Sequence, residues 1–306
     1  YFKNKFLLFF LFWYFYILLT SLLSNHIIHS LESTLFYFRF GIFSCCVYFI
    51  IKENKKFLKF FFNSLLITFL FILLDAYIQY FYGKNILGYE YDGIRLGGIT
   101  GDELILGSFI SRLFPLMFGL AILFFKKNFQ IYFVFLLLIL ADIIIFLSGE
   151  RSAFFYLLLF TFLLIILSSQ NRYLRITSFI ISLAAIILIS SLDSNKKFRM
   201  FGLTLQEISG TNNEVDSINM VNLLGNKFYV FSKYHTAHFR SAYEMFSDNQ
   251  IIGVGPKNYR IVCDYEKYKN PWSCATHAHN TYMQLLSETG IIGFLIIFSL
   301  FIFVSI

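Results

Sequence analysis

The feature that most constrains this chain is a recurring apolar segment of about 20 residues, the length of an α-helix that crosses about 30 Å of bilayer hydrocarbon. Hydrophobic residues make up 58% of the chain and charged residues only 14%, a balance that soluble globular proteins do not tolerate. The predicted spans are Phe6 to Leu23, Ser33 to Ile51, Phe57 to Tyr80, Glu103 to Phe125, Phe129 to Leu147, Arg151 to Leu167, Ile176 to Leu192, and Thr281 to the end. The sequence therefore predicts an all-α polytopic membrane protein with a bundle of about eight transmembrane helices.

Both ends of the chain carry apolar runs. Lys3 and Lys5 precede the first run, which is long and has no small-residue cleavage site after it, so we expect a retained helix rather than a signal peptide. Because the chain begins at Tyr1 and stops inside the run Phe294 to Ile306, we expect further helices beyond both ends.

Positive charge alternates between successive connections. Lysines crowd residues 52–59, Lys126 and Lys127 follow on the same side, and the third such connection carries Arg172 and Arg175. The intervening connections carry far less positive charge, and basic connections stay in the cytoplasm. This pattern predicts a cytoplasmic amino end and an outer loop from Asp193 to Ala278. The chain then divides into a helix bundle (1–192), a mainly helical outer loop (193–280) and a last helix (281–306).

The formal net charge of +7 does not indicate a nucleic-acid partner. The basic residues lie between apolar segments rather than along one stripe of a surface. We therefore expect the lipid bilayer, and no nucleic acid, among the partners.

The carboxyl-terminal part carries the most informative motifs. The turn Ile251-Ile-Gly-Val-Gly-Pro-Lys-Asn-Tyr259 is followed by Thr276-His-Ala-His-Asn, directly before the last span. Within the second motif a His and an Asn are followed by nine residues, a Gly, two residues and another Gly. These positions are His279, Asn280, Gly290 and Gly293. The spacing resembles the signature of the O-antigen ligase and polymerase superfamily of bacterial membrane glycosyltransferases.

Three shorter upstream segments extend this resemblance over about Arg95 to Phe294. They are Arg95-Leu-Gly-Gly-Ile-Thr-Gly-Asp-Glu, Ser148-Gly-Glu-Arg-Ser-Ala, and Arg240 ahead of the Gly-Val-Gly-Pro turn. One position departs from the pattern, because Glu244 stands where the family often has Leu.

The resemblance implies that a glycan moves from undecaprenyl diphosphate to a sugar hydroxyl, with inversion and without a metal or cofactor. The acceptor would be a growing glycan or the lipid A core. The protein would lie in the bacterial inner membrane, with its active site and the outer loop in the periplasm.

Arginine suits the departing diphosphate because its planar guanidinium binds phosphate oxygens in pairs and stays protonated. Arg151, at the outer end of a span, and Arg240, in a predicted amphipathic helix from Tyr234 to Phe246, are the candidates. In the alternatives, Arg151 pairs with Glu150 or Asp142, and Arg240 forms an i,i+4 salt bridge with Glu244. Arg95 is a further candidate for substrate binding.

Histidine suits proton transfer because its pKa lies near neutrality. His279 is either the general base for the acceptor hydroxyl or a phosphate ligand, and the sequence leaves both open. His277 and Asn280 are predicted substrate contacts beside it, and His238 and Tyr259 are kept as further ones. His235 and His238 are otherwise read as solvated loop residues.

The four cysteines fall into two pairs. Cys45 and Cys46 lie in a span, whereas Cys263 and Cys274 lie in the outer loop, where an oxidising compartment permits a disulfide. Zinc binding is disfavoured because ten residues separate the loop cysteines.

A transporter or flippase of lipid-linked or small anionic substrates is the rival function. In it Asp75, Arg112 and Asp142, all within spans, form a relay; otherwise we expect them to pair internally and brace a cavity. A third possibility is an assembly subunit without chemistry.

Overall fold

A computed structural model describes residues 5–167, 171–209, 221–223, 226–230 and 232–305. The α-helices in chain order are α1 (Lys5–Leu22), α2 (Ile27–Thr34), α3 (Phe38–Glu53), α4 (Lys55–Tyr82), α5 (Leu106–Phe124), α6 (Asn128–Ser148), α7 (Arg151–Leu167), α8 (Arg172–Leu192), α9 (Ser194–Lys197), α10 (Leu203–Ser209), α11 (Lys233–Asp248), α12 (Tyr259–Val262) and α13 (Thr281–Ser305). Two short strands, β1 (Val221–Leu223) and β2 (Asn226–Phe228), pair antiparallel.

The predicted membrane fold is confirmed. In the described residues, seven helical segments are long and apolar enough to cross a membrane, and α7 is apolar but only 17 residues long. One of these segments runs from Ile27 to Glu53 and joins α2 to α3. The eight expected spans therefore correspond to eight helical segments of a multi-pass membrane protein.

The chain forms two compact units. The first unit comprises Tyr1–Glu53 and Gln206–Ile306, and the second comprises Asn54–Leu205. The expected division into bundle, outer loop and last helix was based on the predicted sides of the membrane, whereas these units are defined by packing. That division therefore stays a prediction.

The core of the second unit is apolar and closely packed. Helix α6 packs against α5 and α8, and α7 packs against α5. Phe114, Leu138 and Ile144 are fully buried there. Because lipid tails are as apolar as these side chains, close packing and interhelical hydrogen bonds stabilise such a bundle.

The ionisable residues inside the predicted spans do not pair as expected. The Asp75 carboxylate accepts hydrogen bonds from the backbone N–H of Ile86 and the side chain of Asn85, at 3.0 and 3.2 Å. Asp142 accepts one from Ser182 at 2.6 Å, and Arg112 is exposed on α5. The two carboxylates thus brace a loop and a helix contact, and the expected pairing with arginine was wrong.

In the first unit, α13 packs against α1 and α11. Gly293 allows the close approach of α1, because a Cβ at this position would lie 3.0 Å from the ring of Tyr16. The Tyr16 hydroxyl donates to the carbonyl of Thr289 at 2.6 Å. Gly293 therefore lies where α13 and α1 approach each other closely.

Two connections predicted to lie outside the membrane meet in the first unit. Ser30 of α2 donates to the carbonyl oxygen of Pro256 at 2.8 Å, and His26 contacts the Tyr265 hydroxyl. These contacts hold α2 and the turn before it against the loop that leads to α13.

Candidate functional site

The start of α13 carries the motif histidine. The Asn280 side-chain oxygen accepts hydrogen bonds from the backbone N–H groups of Tyr282 and Met283, at 2.9 and 3.1 Å, and so caps the helix. His279 precedes this cap with a positive φ of 53°, a conformation that costs energy for a residue with a Cβ. The structure gives Asn280 a visible capping role, and its contact with substrate stays a prediction.

Four histidines form an imidazole cluster around His279. Its ring centroid lies 4.2 Å from that of His277, 4.6 Å from that of His238 and 5.9 Å from that of His235. His277 and His279 come from the loop before α13, and the other two come from α11. The cluster thus joins segments that lie about forty residues apart in the sequence.

The environment of His279 favours the neutral imidazole. Partial burial, followed by repulsion from His277, His238 and His235, lowers its pKa to about 4. As a whole residue, His279 is nevertheless exposed to solvent. At neutral pH His279 therefore holds an unprotonated nitrogen that substrate can reach.

The reading of His235 and His238 as loop residues was wrong, because both lie on α11. Ser232 caps this helix and its hydroxyl contacts Nδ1 of His235 at 2.8 Å. The buried face of α11 includes Ala237, His238 and Ala242, whereas Tyr243 is exposed. A histidine on the buried face of an amphipathic helix is what brings α11 into the cluster.

Tyr259 lies behind the cluster. It is fully buried, and its hydroxyl contacts Nδ1 of His238 at 2.9 Å and the carbonyl oxygen of Ser273 at 2.7 Å. Tyr259 therefore supports His238, and its contact with substrate stays a prediction.

Arg240 lies on a different side of α11. Successive side chains of an α-helix are rotated by about 100° about its axis. The side chains of His238 and Arg240, two residues apart, therefore point in nearly opposite directions. Arg240 donates to Glu244 at 3.0 Å, the salt bridge weighed as its alternative role, and its side chain is 45% exposed. The structure brings His279, His277 and His238 together, and it places Arg240 on another side of α11.

A disulfide anchors the segment before the cluster. Cys263 and Cys274 are bonded and enclose a short loop next to Ser273. Cys263 packs in a small core with Ala242 and Tyr259. The disulfide that the sequence left open is therefore present and pins the loop that leads to His277.

Two motif glycines join the turn after α11 to α13. At Gly290 the dihedral angles are non-helical (φ 64°, ψ −170°), and a Cβ there would lie 2.3 Å from the carbonyl oxygen of Ile251. A Cβ on Gly253 would lie 2.4 Å from the backbone of Glu288. Gly290 thus admits a neighbouring backbone segment rather than a neighbouring helix.

In the second unit, Arg151 begins α7 at a corner after Gly149. The neighbouring Glu150 carboxylate accepts hydrogen bonds from the backbone N–H groups of Gly107 and Ser108, at 2.6 and 3.1 Å, and so caps α5. Arg151 donates a long hydrogen bond of 3.4 Å to Thr204. The carboxylate of Glu150 is therefore committed to α5.

Three further cations surround this corner, and with Arg151 we call them the cationic corner: Arg95, Arg151, Lys196 and Arg199. Lys196 is fully buried and donates to the carbonyl oxygens of Ile94 and Leu147, at 2.5 and 2.7 Å. Arg199 donates to the carbonyl of Gly149 at 3.1 Å. Arg95 donates to Leu104, and its buried Nε has no hydrogen-bond partner among the described residues.

The charge of Lys196 responds to this environment. Burial lowers its pKa to about 8, attraction to Asp193 and Asp92 raises it, and the nearby Arg199 and Arg95 lower it again. Lys196 is still mostly protonated at pH 7. The cationic corner therefore concentrates positive charge that can attract an anion.

Comparison with known protein families agrees with the motif spacing. A family model described as O-antigen ligase matches residues 133–298, more than half of the chain. The chain belongs to the O-antigen ligase family. It is thus a membrane enzyme of the glycosyltransferase type, whose substrates are a lipid-linked glycan and an acceptor.

No curated protein matches this O-antigen ligase family member, and no solved structure matches it. The imidazole cluster and His279 lie inside the family match, as do Arg151, Lys196 and Arg199, whereas Arg95 precedes it. In the described part of the chain, no three or more His, Cys, Asp or Glu side chains are arranged to hold a metal ion.

Sequence reasoning about this O-antigen ligase family member missed Lys196 and Arg199. Lys196, Lys197 and Arg199 follow the seventh predicted span, in a connection predicted to lie on the side where positive charge is otherwise scarce. That departure from the charge alternation was the signal that could have identified them.

Proposed function

We propose that this protein transfers a glycan from undecaprenyl diphosphate to an acceptor sugar hydroxyl, as an O-antigen ligase or polysaccharide polymerase at the periplasmic face of the inner membrane. The observation that carries the proposal is the neutral, partly exposed His279 within the imidazole cluster, in a chain of this family. The described disulfide supports an oxidising compartment for the outer loop.

His279 is the proposed general base. Its unprotonated nitrogen takes the proton of the acceptor hydroxyl while the oxygen bonds to the anomeric carbon. The bond between this carbon and the phosphate oxygen breaks, and its electron pair leaves with the diphosphate. His277 is near enough to His279 to contact the same substrate.

The cationic corner is the proposed binding site for the diphosphate of the donor. Guanidinium and ammonium groups stabilise the negative charge that develops on the leaving group. Arg151 and Arg95 were expected there, and Lys196 and Arg199 extend the set. Arg240 stays a proposed diphosphate ligand, although it would first have to exchange its contact with Glu244.

The test is glycan transfer by the purified protein in lipid vesicles, with a lipid-linked donor and a sugar acceptor. We expect His279→Ala to lower kcat by about 100-fold or more, because general base catalysis contributes about that much. The matched control is His29→Ala, a histidine of the first unit outside the cluster. Equal rates in both variants would refute the role of His279.

The binding role of the cationic corner needs a separate assay. We expect Arg151→Ala and Arg199→Ala to weaken binding of a polyprenyl diphosphate, whereas Arg112→Ala, an exposed arginine on α5, should not. Unchanged binding in the first two variants would remove the corner from the proposal.

The compartment is tested by labelling in intact cells. A cysteine introduced at Thr276, an exposed position beside the cluster, should react with a maleimide that cannot cross the inner membrane. Labelling only after lysis would place the cluster in the cytoplasm and contradict the proposed orientation.

A further inference from the structure

The buried hydroxyl of Tyr259 contacts both His238 and Ser273, and its single proton can be donated to only one of them. Its hydroxyl has one proton and two close partners, Nδ1 of His238 at 2.9 Å and the Ser273 carbonyl oxygen at 2.7 Å. A carbonyl oxygen can only accept a hydrogen bond. The proton of Tyr259 therefore belongs to the shorter contact, since without it two oxygens would face each other across 2.7 Å.

This assignment decides the tautomer of His238. The Tyr259 oxygen, having donated its proton to Ser273, accepts from Nδ1 of His238, which must carry a hydrogen. A neutral imidazole has one N–H, so Nε2 of His238 is unprotonated.

The ionisation states of both residues agree with this arrangement. Burial, opposed by the carbonyl of Ser273 and aided by repulsion from His235 and His277, lowers the pKa of His238. Burial and the nearby Glu288 raise the pKa of Tyr259. Both groups therefore stay neutral at physiological pH, and the hydroxyl keeps the proton that it donates.

We propose that Tyr259 and the Ser273 carbonyl lock His238 in its Nδ1–H tautomer, so that the lone pair of Nε2 stabilises His279 when His279 takes the proton of the acceptor. This inference rests on the proposed function for the step at His279, but the lock itself does not. The two rings lie 4.6 Å apart. At this separation an unprotonated Nε2 on the His238 ring favours the imidazolium form of His279, whereas an N–H on Nε2 would oppose it.

His238 is thus a positioning residue rather than a group that contacts substrate. It is 5% exposed and acts through His279. During transfer the proton moves from the acceptor hydroxyl to His279, while His238 keeps its own proton on Nδ1. The proton on His279 is released after the diphosphate has left.

The first test is nitrogen NMR of the full chain, with ¹⁵N-labelled histidine in detergent micelles. Wild-type His238 should show a protonated Nδ1 and an unprotonated Nε2. Tyr259→Phe keeps the ring but removes the accepting oxygen, so His238 should become a mixture of tautomers. Tyr243→Phe, an exposed tyrosine on α11, should leave the spectrum unchanged. An unprotonated Nδ1 in the wild type, or an unchanged tautomer in Tyr259→Phe, would overturn the lock.

The second test is the pH dependence of glycan transfer. Tyr259→Phe should lower kcat by about ten-fold, part of what a general base contributes, with little change in KM for the donor. The acid limb of kcat should move to lower pH, because an N–H near His279 disfavours its imidazolium. A decrease that is equal at every pH would indicate a structural role and overturn the positioning role.

His238→Asn keeps the proposal testable if Tyr259→Phe fails to fold. The amide of asparagine can occupy the place of Nδ1 and still donate to Tyr259, but nothing replaces Nε2. We expect a folded protein with slower transfer, and wild-type transfer would overturn the inference. If the wild-type chain transfers no glycan but its NMR spectrum shows the Nδ1–H tautomer of His238, the proposed function is refuted and the tautomer assignment is retained.

Discussion

Replacing Gly290 by alanine should separate α13 from the turn that follows α11. The backbone at Gly290 (φ 64°, ψ −170°) lies in a region open almost only to glycine, and a side chain there costs about 1–3 kcal/mol. The added Cβ would also lie 2.3 Å from the carbonyl oxygen of Ile251 and 2.6 Å from the nitrogen of Ile252. Backbone atoms at these distances cannot rotate away, so the segment must shift.

This shift would lengthen or break the backbone hydrogen bonds between α13 and the turn after α11. Ile291 donates to Gln250 at 2.8 Å, and Val254 and Gly255 donate to the carbonyl oxygens of Ser287 and Glu288, both at 2.9 Å. Loss of one such bond costs about 0.5–1.5 kcal/mol. Together with the conformational strain, Gly290→Ala should lower the free energy of unfolding by about 2–4 kcal/mol.

Thermal unfolding in detergent, followed by tryptophan fluorescence, measures this effect. A decrease of roughly 5–10 °C in Tm is expected for a chain of this size. Gly119→Ala is the matched control, because Gly119 lies inside α5 and its Cβ would meet open space. That variant should be neutral or more stable by about 0.5–1 kcal/mol. A Gly290→Ala protein with the Tm of the control would refute the reasoning.

Three further predictions follow from particular contacts. Removing the disulfide by Cys263→Ser with Cys274→Ser should lower the free energy of unfolding by about 3 kcal/mol, measured by thermal unfolding. The control is Cys45→Ser with Cys46→Ser, the free pair, which should change this free energy little. Equal decreases in both variants would contradict the anchoring role. The pKa of His279 is about 4 in the folded protein and about 6.5 in an unfolded chain, so kcat/KM should stay constant from pH 7 down to about pH 5. The free energy of unfolding should decrease as the pH falls from about 6.5 towards 4. A decrease of kcat/KM centred near pH 6.5 would contradict this. Asp75→Asn should destabilise the second unit by about 1–3 kcal/mol, since an amide keeps one accepting oxygen and its NH2 would face either the N–H of Ile86 or that of Asn85. Unchanged unfolding by denaturant would contradict the bracing role.

The described residues do not support the alternative hypothesis that the protein is a transporter. A relay through the spans would need Asp75, Asp142 and Arg112 to exchange protons or ions along one path. Instead Asp75 holds the loop after α4, Asp142 bonds to Ser182, and Arg112 is exposed. Ion or substrate flux through vesicles that carry Asp142→Asn should therefore match that of the wild type.

The sequence by itself determined the membrane fold and the family. Apolar length and charge alternation depend on local composition and on the bilayer, so they are readable without any knowledge of packing. The motif spacing from His279 to Gly293 identified the family that the comparison then matched. The same motif selected His279, the centre of the imidazole cluster.

Only the tertiary structure decided which side chains meet. The contact of His238 with His279, and that of Tyr259 with His238, join residues that are separated by loops whose paths depend on packing. The charge alternation could have singled out Lys196 and Arg199, but only the structure places them at the corner after α6. Helical periodicity tells which face of α11 is buried, but the partner that covers this face is chosen by contacts distant in sequence, and hydropathy does not encode them.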